Sequence, residues 1–367
     1  MKVTVHRLGM ASPSDVSELG QLIATGEVDP DRIVAIIGKT EGNGGANDFT
    51  RALASLSVAE VIATATGEPP DAVSQRVALV WSGGCEGVLS PHMTVVTRDD
   101  RVEVDDRGGG LAVSVQRTRG FRPEEIGTLA EVEEVAAATH RALADLAISD
   151  PMDVHYVQVK GPLLTPAGIK DAAARGARVV TSDPNGSKAY ARGATALGVA
   201  AGLGEVEVST LTQAAIAHDL TLFSRVASTS AGGELVACEI VLFANSPAAV
   251  PGLRIGHGTL SDAIDLRGVL GCLRSAGLEF ECLPGADEQG RIAAVFAKAE
   301  ASPTGEIRGR RTTMLSDADI NYERHARAAV GALIASATGD SAIFVSGGTE
   351  HQCAPGEAPI AAIVRVA

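Results

Sequence analysis

Ile33-Val34-Ala35-Ile36-Ile37-Gly38-Lys39, answered 43 residues beyond its lysine by Ser82-Gly83-Gly84-Cys85-Glu86, is the stretch from which the rest of the chain can be read. It recurs twice. Val157-Gln158-Val159-Lys160 is answered by Ser230-Ala231-Gly232-Gly233-Glu234, and Val295-Phe296-Ala297-Lys298 by Ser346-Gly347-Gly348-Thr349-Glu350. The chain has six lysines, and half of them end an apolar run at equivalent points of one pattern. A lysine amine beside a serine hydroxyl is a base-and-nucleophile pair. Three such pairs suggest a pseudo-threefold active site.

Each lysine run reads as a buried strand, and each serine is delivered by a second one: Val77–Trp81, the run through Val226-Ala227, and Ala342–Val345. Between them lies a helical stretch rich in Ala and Leu, opened by Arg51, Arg192 and Arg324 in turn. A helix precedes each lysine strand (Asp15–Thr25, Glu131–Leu146, Asp262–Ala276), and a strand-like run follows each serine (Met93–Val96, Leu235–Phe243, Ile360–Val366). The expected order is therefore helix, lysine strand, arginine helix, serine strand, strand. Lysine-to-serine separations of 43, 70 and 48 residues reflect loops of different length. Faint identity with constant element order is how a diverged triplication looks. Polar, turn-rich segments at Arg98–Gly110 and Asn245–Gly252 read as linkers, dividing the chain into repeat units 1–104, 111–246 and 253–367.

Length and composition agree. The chain's 367 residues exceed one ordinary core, and 45% apolar residues with 3% aromatics imply cores of Val, Ile, Leu and Ala. A formal charge of −14 argues against nucleic acid as a partner, because phosphate binding needs clustered Lys and Arg. No apolar run approaches the ~18 residues of a membrane span, and Met1–His6 alternates like an edge strand rather than a signal peptide. Five cysteines, without a Cys-x-x-Cys, are expected to be free thiols in a reducing cytoplasm.

Several chemistries are excluded by spacing. Gly38-Lys39-Thr40 is not a phosphate loop, since position 33 is Ile and a strand runs straight into the lysine. The eight histidines lack the His-x-His or His-Glu-x-x-His spacing of a hydrolytic zinc. Neither Ser-x-x-Lys nor Gly-x-Ser-x-Gly occurs. What remains is a glycine-rich turn after each serine, suited to bind an oxyanion through its amides. The segment Glu350–Glu357 reads as a loop by default. Its carbonyls, with Gln352 and Glu300, suit a hard divalent cation as the alternative.

The motifs quoted, with Gly38–Gly44, Val157–Pro166, Val295–Pro303, Met314–Asp317 and Ser346–Gln352, make the chain resemble the cyanuric acid hydrolase and barbiturase family of ring-opening amidases over its whole length. The resemblance implies an α/β fold of three α+β repeat domains about a pseudo-threefold axis, with the active site at the centre. It implies Ser230 as nucleophile and Lys160 as base. Ring carbonyls would be held by Arg51, Arg192 and Arg324 and by the backbone at Gly83, Ala231 and Gly347. Ser82 and Ser346, with the supporting dyads' Lys39 and Lys298, would orient the substrate. It further implies a structural magnesium at Glu300, Thr349, Gln352, Cys353, Ala354 and Glu357, no cofactor for catalysis, and a homotetramer.

Chemistry and resemblance agree on a substrate. Cyanuric acid is a flat s-triazine ring with three alternating carbonyls, matched by three planar guanidinium forks. Those cations also lower a nearby lysine's pKa, as a base near neutral pH requires. Hydrolysis would give carboxybiuret, then biuret and carbon dioxide. Barbituric acid opened to ureidomalonate is one alternative, and a non-catalytic small-ring binding protein is another.

Overall fold

The computed structural model describes residues 1–104 and 109–366. Three four-stranded sheets are built to one plan. In the first, Lys2–Gly9, His92–Asp99, the lysine strand Ile33–Thr40 and the serine strand Ala78–Gly83 lie side by side in that order. The second repeats it as Gly110–Arg117, Glu239–Ser246, Val154–Pro162 and Ala227–Gly232. The third has Leu253–Leu260, Ala358–Arg365, Ile292–Ala299 and Phe344–Gly347. The α/β class with threefold repetition is thus the fold found. Each unit also has an edge strand ahead of its first helix. For Gly110–Arg117 and Leu253–Leu260 this was not anticipated, because each directly follows a turn-rich segment. The expected linker at Arg98–Gly110 lies partly outside the described residues.

Among the described residues only the lysine and serine strands run parallel, and the arginine helix is the crossover such a connection requires. These helices are Thr50–Thr66, Ser187–Gly202 and Tyr322–Thr338. The third is opened by Asn321, whose side chain accepts from the Glu323 amide at 2.9 Å. The first and third end at Gly67 and Gly339 in the left-handed conformation. In the second, a Cβ at Gly198 would fall 2.6 Å from Val135 Cβ. That glycine lets Leu129–Asp145 pack close.

Each sheet has two dry faces. One packs on the unit's own helices. The other joins a core shared by all three sheets, including Ile37, Val80, Tyr156, Phe243, Phe296 and Phe344. A register shift early in every lysine strand, at Ile33/Ala35, Val154/Tyr156 and Ile292/Ala294, resets the alternation at the same point. Beyond it, side chains two apart share a face. Ala35 and Ile37 therefore lead to Lys39, Tyr156 and Gln158 to Lys160, and Ala294 and Phe296 to Lys298. By the same period Val80 leads to Ser82 and Phe344 to Ser346. All three lysine–serine pairs are thereby delivered to one end of the shared core. Among the described residues, no helix is long and apolar enough to cross a membrane.

Candidate active site

In every unit the lysine and serine are direct cross-strand partners: Lys39 with Ser82, Lys160 with Ser230, Lys298 with Ser346. All three lysines are buried, at most 2% exposed. Each ammonium reaches into the neighbouring unit, to the carbonyl just ahead of that unit's serine. Lys39 donates to Val345 O at 2.6 Å, Lys160 to Trp81 O at 3.1 Å, and Lys298 to Thr229 O at 2.7 Å. The contacts close a ring of three.

The arginines close a second ring in the opposite sense. Arg51 grips Glu234 of the second unit, Arg192 grips Glu350 of the third, and Arg327 grips Glu86 of the first. Each is a two-bond fork, at 2.6–3.3 Å. The glutamate of Ser-[Gly/Ala]-Gly-x-Glu thus has a task the spacing alone did not reveal. The glycine two ahead of it is needed for room. A Cβ at Gly84 would lie 2.3 Å from the Glu86 carboxylate, one at Gly232 2.2 Å from that of Glu234, and one at Gly348 2.2 Å from Arg192.

The third arginine is therefore Arg327, not Arg324. Arg51, Arg192 and Arg327 each carry core-facing residues three and seven positions on: Ala54 and Val58, Thr195 and Val199, Val330 and Ile334. Arg324 has Arg327 and Gly331 there instead, and its side chain is exposed at the helix start. It donates to Asn43 O at 3.4 Å. Apolar spacing after the arginine was the signal that separates the two.

A narrow chamber of ≈ 40 Å³ lies where the rings meet. Ser82, Ser230 and Ser346 line it with the three arginines, Lys160 and the backbone at Gly83, Ala231 and Gly347. The Oγ atoms of Ser230 and Ser346 are buried and have no hydrogen-bond partner among the described residues. Ser82 Oγ accepts from Lys39 at 3.3 Å. Lys39 does not cradle phosphate: a Cβ at Gly38 would lie 2.3 Å from the Trp81 ring, so that glycine makes room for an indole.

Burial, reinforced by Arg327, lowers the Lys39 amine to about 8. Burial and then Arg192 lower Lys298 to about 7. Lys160 is lowered too, by burial, but Glu234 opposes the shift from 3.2 Å. Against burial, Lys160 and Arg51 hold the Glu234 carboxyl down at about 2. Among the described residues, the middle lysine alone of the three has a carboxylate within 4 Å.

The residues taken for a cation site cluster behind the third serine. Burial, then repulsion from Glu350, pushes the Glu300 carboxyl up to about 7, a group that a cation would hold ionised. Gln352 fits only through its backbone carbonyl, since its side chain accepts from the Thr229 amide and donates to Gly348 O and Glu350 O. Burial keeps Cys353 a thiol, pushed up to about 12 and donating to Glu357 O. Among the described residues no three His, Cys, Asp or Glu side chains form a metal cage. One carboxylate among loop carbonyls, Thr349 and Ala354 included, does fit a hard oxygen-seeking ion.

The sequence profile of the ring-opening amidohydrolases matches residues 4–365, and the chain belongs to that family. It is 64% identical to a cyclic amide hydrolase of Azorhizobium caulinodans, each chain covered in full. Identity to a cyanuric acid amidohydrolase of Enterobacter cloacae is 47%, again over the full length of both. A solved cyanuric acid hydrolase described as a product of structural concatenation superposes with TM-score 0.94 at 47% identity, covering 100% of this chain and 99% of that one. The crystal structure of a cyanuric acid hydrolase from A. caulinodans gives 0.90 at 44%, with 99% and 98% covered.

Proposed function

We propose that the chain hydrolyses cyanuric acid to carboxybiuret, which loses carbon dioxide to give biuret, with Ser230 as nucleophile and Lys160 as its base. The observation that carries this is the delivery of three lysine–serine pairs and three clamped arginines to one small chamber. A flat ring with three carbonyls presents matching acceptors. Ser230 is favoured over Ser82 because its hydroxyl is unengaged. It is favoured over Ser346 because, among the described residues, only its lysine has a carboxylate within 4 Å, Glu234, whose charge steadies the ammonium formed when Lys160 takes the serine proton.

In the first half-reaction neutral Lys160 takes the Ser230 proton as Oγ bonds to a ring carbonyl carbon. The oxyanion is met by guanidinium N–H groups and turn amides, a term worth about 3–4 kcal/mol per donor lost. The ring C–N bond breaks and the nitrogen takes the proton from Lys160. Water then attacks the ester, giving its proton to Lys160 and restoring Ser230. Lys39 and Lys298, with Ser82 and Ser346, orient and polarise the ring. A magnesium held by Glu300 and the loop carbonyls would tie down the segment whose Gln352 fixes the strand beside Ser230. The chain is proposed to assemble as a homotetramer, which light scattering on a sizing column checks.

A second ring, barbituric acid, is kept as a reading because a relative 43% identical over 99% of this chain is named a barbiturase, and the 64% identical relative is named only a cyclic amide hydrolase. Purified protein should therefore be given cyanuric acid and barbituric acid separately, following ultraviolet loss of each ring and product by NMR. Biuret from cyanuric acid supports the assignment. Loss of barbituric acid alone moves the substrate and keeps the chemistry. Neither ring consumed overturns both substrate assignments.

A further inference from the structure

The inner chamber opens into a larger cavity of ≈ 440 Å³ that the ring-opening chemistry does not use. The two share Gly44, Lys188, Glu323 and Arg327, so one lies directly above the other. The repeat carries into this outer layer, but its residues do not. The positions four residues before Arg51, Arg192 and Arg327 are Asn47, Lys188 and Glu323, and all three line the cavity. Below, the three units present like groups. Above, they present a neutral amide, a cation and an anion. A site for a bare threefold ring has no use for that difference.

The charges do not cancel. Glu323 lies 3.3 Å from Arg192, 3.6 Å from Lys188 and 3.9 Å from Arg327. Against burial, those cations hold its carboxyl at about 2, so its negative charge is committed. Arg192 and Arg327 are already matched by Glu350 and Glu86. Arg324 is different. It lines the cavity, and among the described residues no carboxylate lies within 4 Å of it. In a chain of formal charge −14, the mouth of the site thus keeps a planar two-donor fork beside Lys188. A guanidinium fork so placed suits a carboxylate.

Geometry limits where that carboxylate can be attached. Donors from three units surround the ring at its edge, so its plane lies across the pseudo-threefold axis and the outer cavity lies over its face. A group rising from the face must leave a tetrahedral ring carbon, which cyanuric acid lacks. We infer that the outer cavity is a carboxylate subsite, and that a six-membered cyclic ureide with a carboxylate on a saturated ring carbon is a substrate of this site. The inference rests on the ring-opening assignment above. Water adds across the ring C–N bond, the carbonyl carbon becoming a carboxylate and the nitrogen keeping a proton as an open-chain N–H.

Dihydroorotate and 5,6-dihydrouracil test it as a pair, sharing a ring and differing in the carboxylate. Binding is measured by calorimetry on the Ser230→Ala protein and turnover on the unmodified one. Dihydroorotate should bind at least tenfold more tightly than dihydrouracil, and Arg324→Met in the Ser230→Ala background should remove most of that ratio. Equal affinities, or a ratio unmoved by Arg324→Met, overturn the subsite. Preferential binding without ring opening keeps the subsite and overturns the substrate assignment. If the unmodified protein opens no ring, cyanuric acid included, the hydrolytic assignment falls while the affinity ratio still decides the subsite.

Discussion

Ser230 joins two features: a buried hydroxyl with no hydrogen-bond partner among the described residues, and a lysine that burial drives toward its neutral, proton-accepting form with Glu234 3.2 Å away. Ser230→Ala should therefore reduce turnover of the ring below detection, while Ser82→Ala leaves a measurable rate. The reverse result would move the nucleophile to the first unit. Because Lys160 must be neutral to accept the proton, kcat/KM should rise with pH through its lowered pKa and then level. Lys160→Met should erase that limb along with the rate. At the arginines, Arg327→Met should lower kcat/KM for cyanuric acid by about 10²–10³, the scale of one oxyanion donor. Arg324→Met should cost less, because that side chain sits outside the inner chamber. The ranking is read from initial rates on one ring.

Between elements, the buried forks that join units matter most. Glu86→Gln leaves Arg327 charged, buried and matched only by Glu323 at 3.9 Å. Breaking such a pair costs about 3–5 kcal/mol, and thermal unfolding should show it as a clear fall in Tm. The lysine strands add a pH dependence. Lys298 has a folded pKa of about 7 against an ordinary value near 10.5, so between those values the unfolded chain binds more protons. Stability from this group therefore rises with pH across that window, and Lys298→Met should flatten the rise. The lysine and serine strands were legible because apolar runs ending in Lys and Ser recur in one order. The leading edge strands were not, because Gly110–Arg117 and Leu253–Leu260 emerge straight from turn-rich sequence. Nor were the arginine–glutamate forks, since each joins residues of different units: pairing across a threefold axis leaves no spacing to read. Arg324 was chosen for its place at a helix start, whereas burial follows the apolar face one turn later.

For the whole molecule, the site has no owner. Every lysine and arginine reaches out of its own unit, and the three sheets close on one aromatic core. There Phe296 stacks on Tyr156 of the second unit at 4.9 Å and meets Phe344 edge-on at 6.2 Å. Units joined this way should melt together. The chain's one tryptophan, Trp81, is buried in the first unit beside Ser82, so its fluorescence reports that unit. Phe296→Ala opens a cavity in the third unit's strand at a cost of about 3–5 kcal/mol. In a single cooperative structure the Trp81 fluorescence midpoint in urea falls by the full amount and coincides with the loss of far-ultraviolet dichroism. In a chain of three independent domains Trp81 is left untouched while part of the dichroism is lost early. Coincident transitions would mean the active site exists only while all three units are folded. A lagging Trp81 signal would show that two of its three walls can stand without the third.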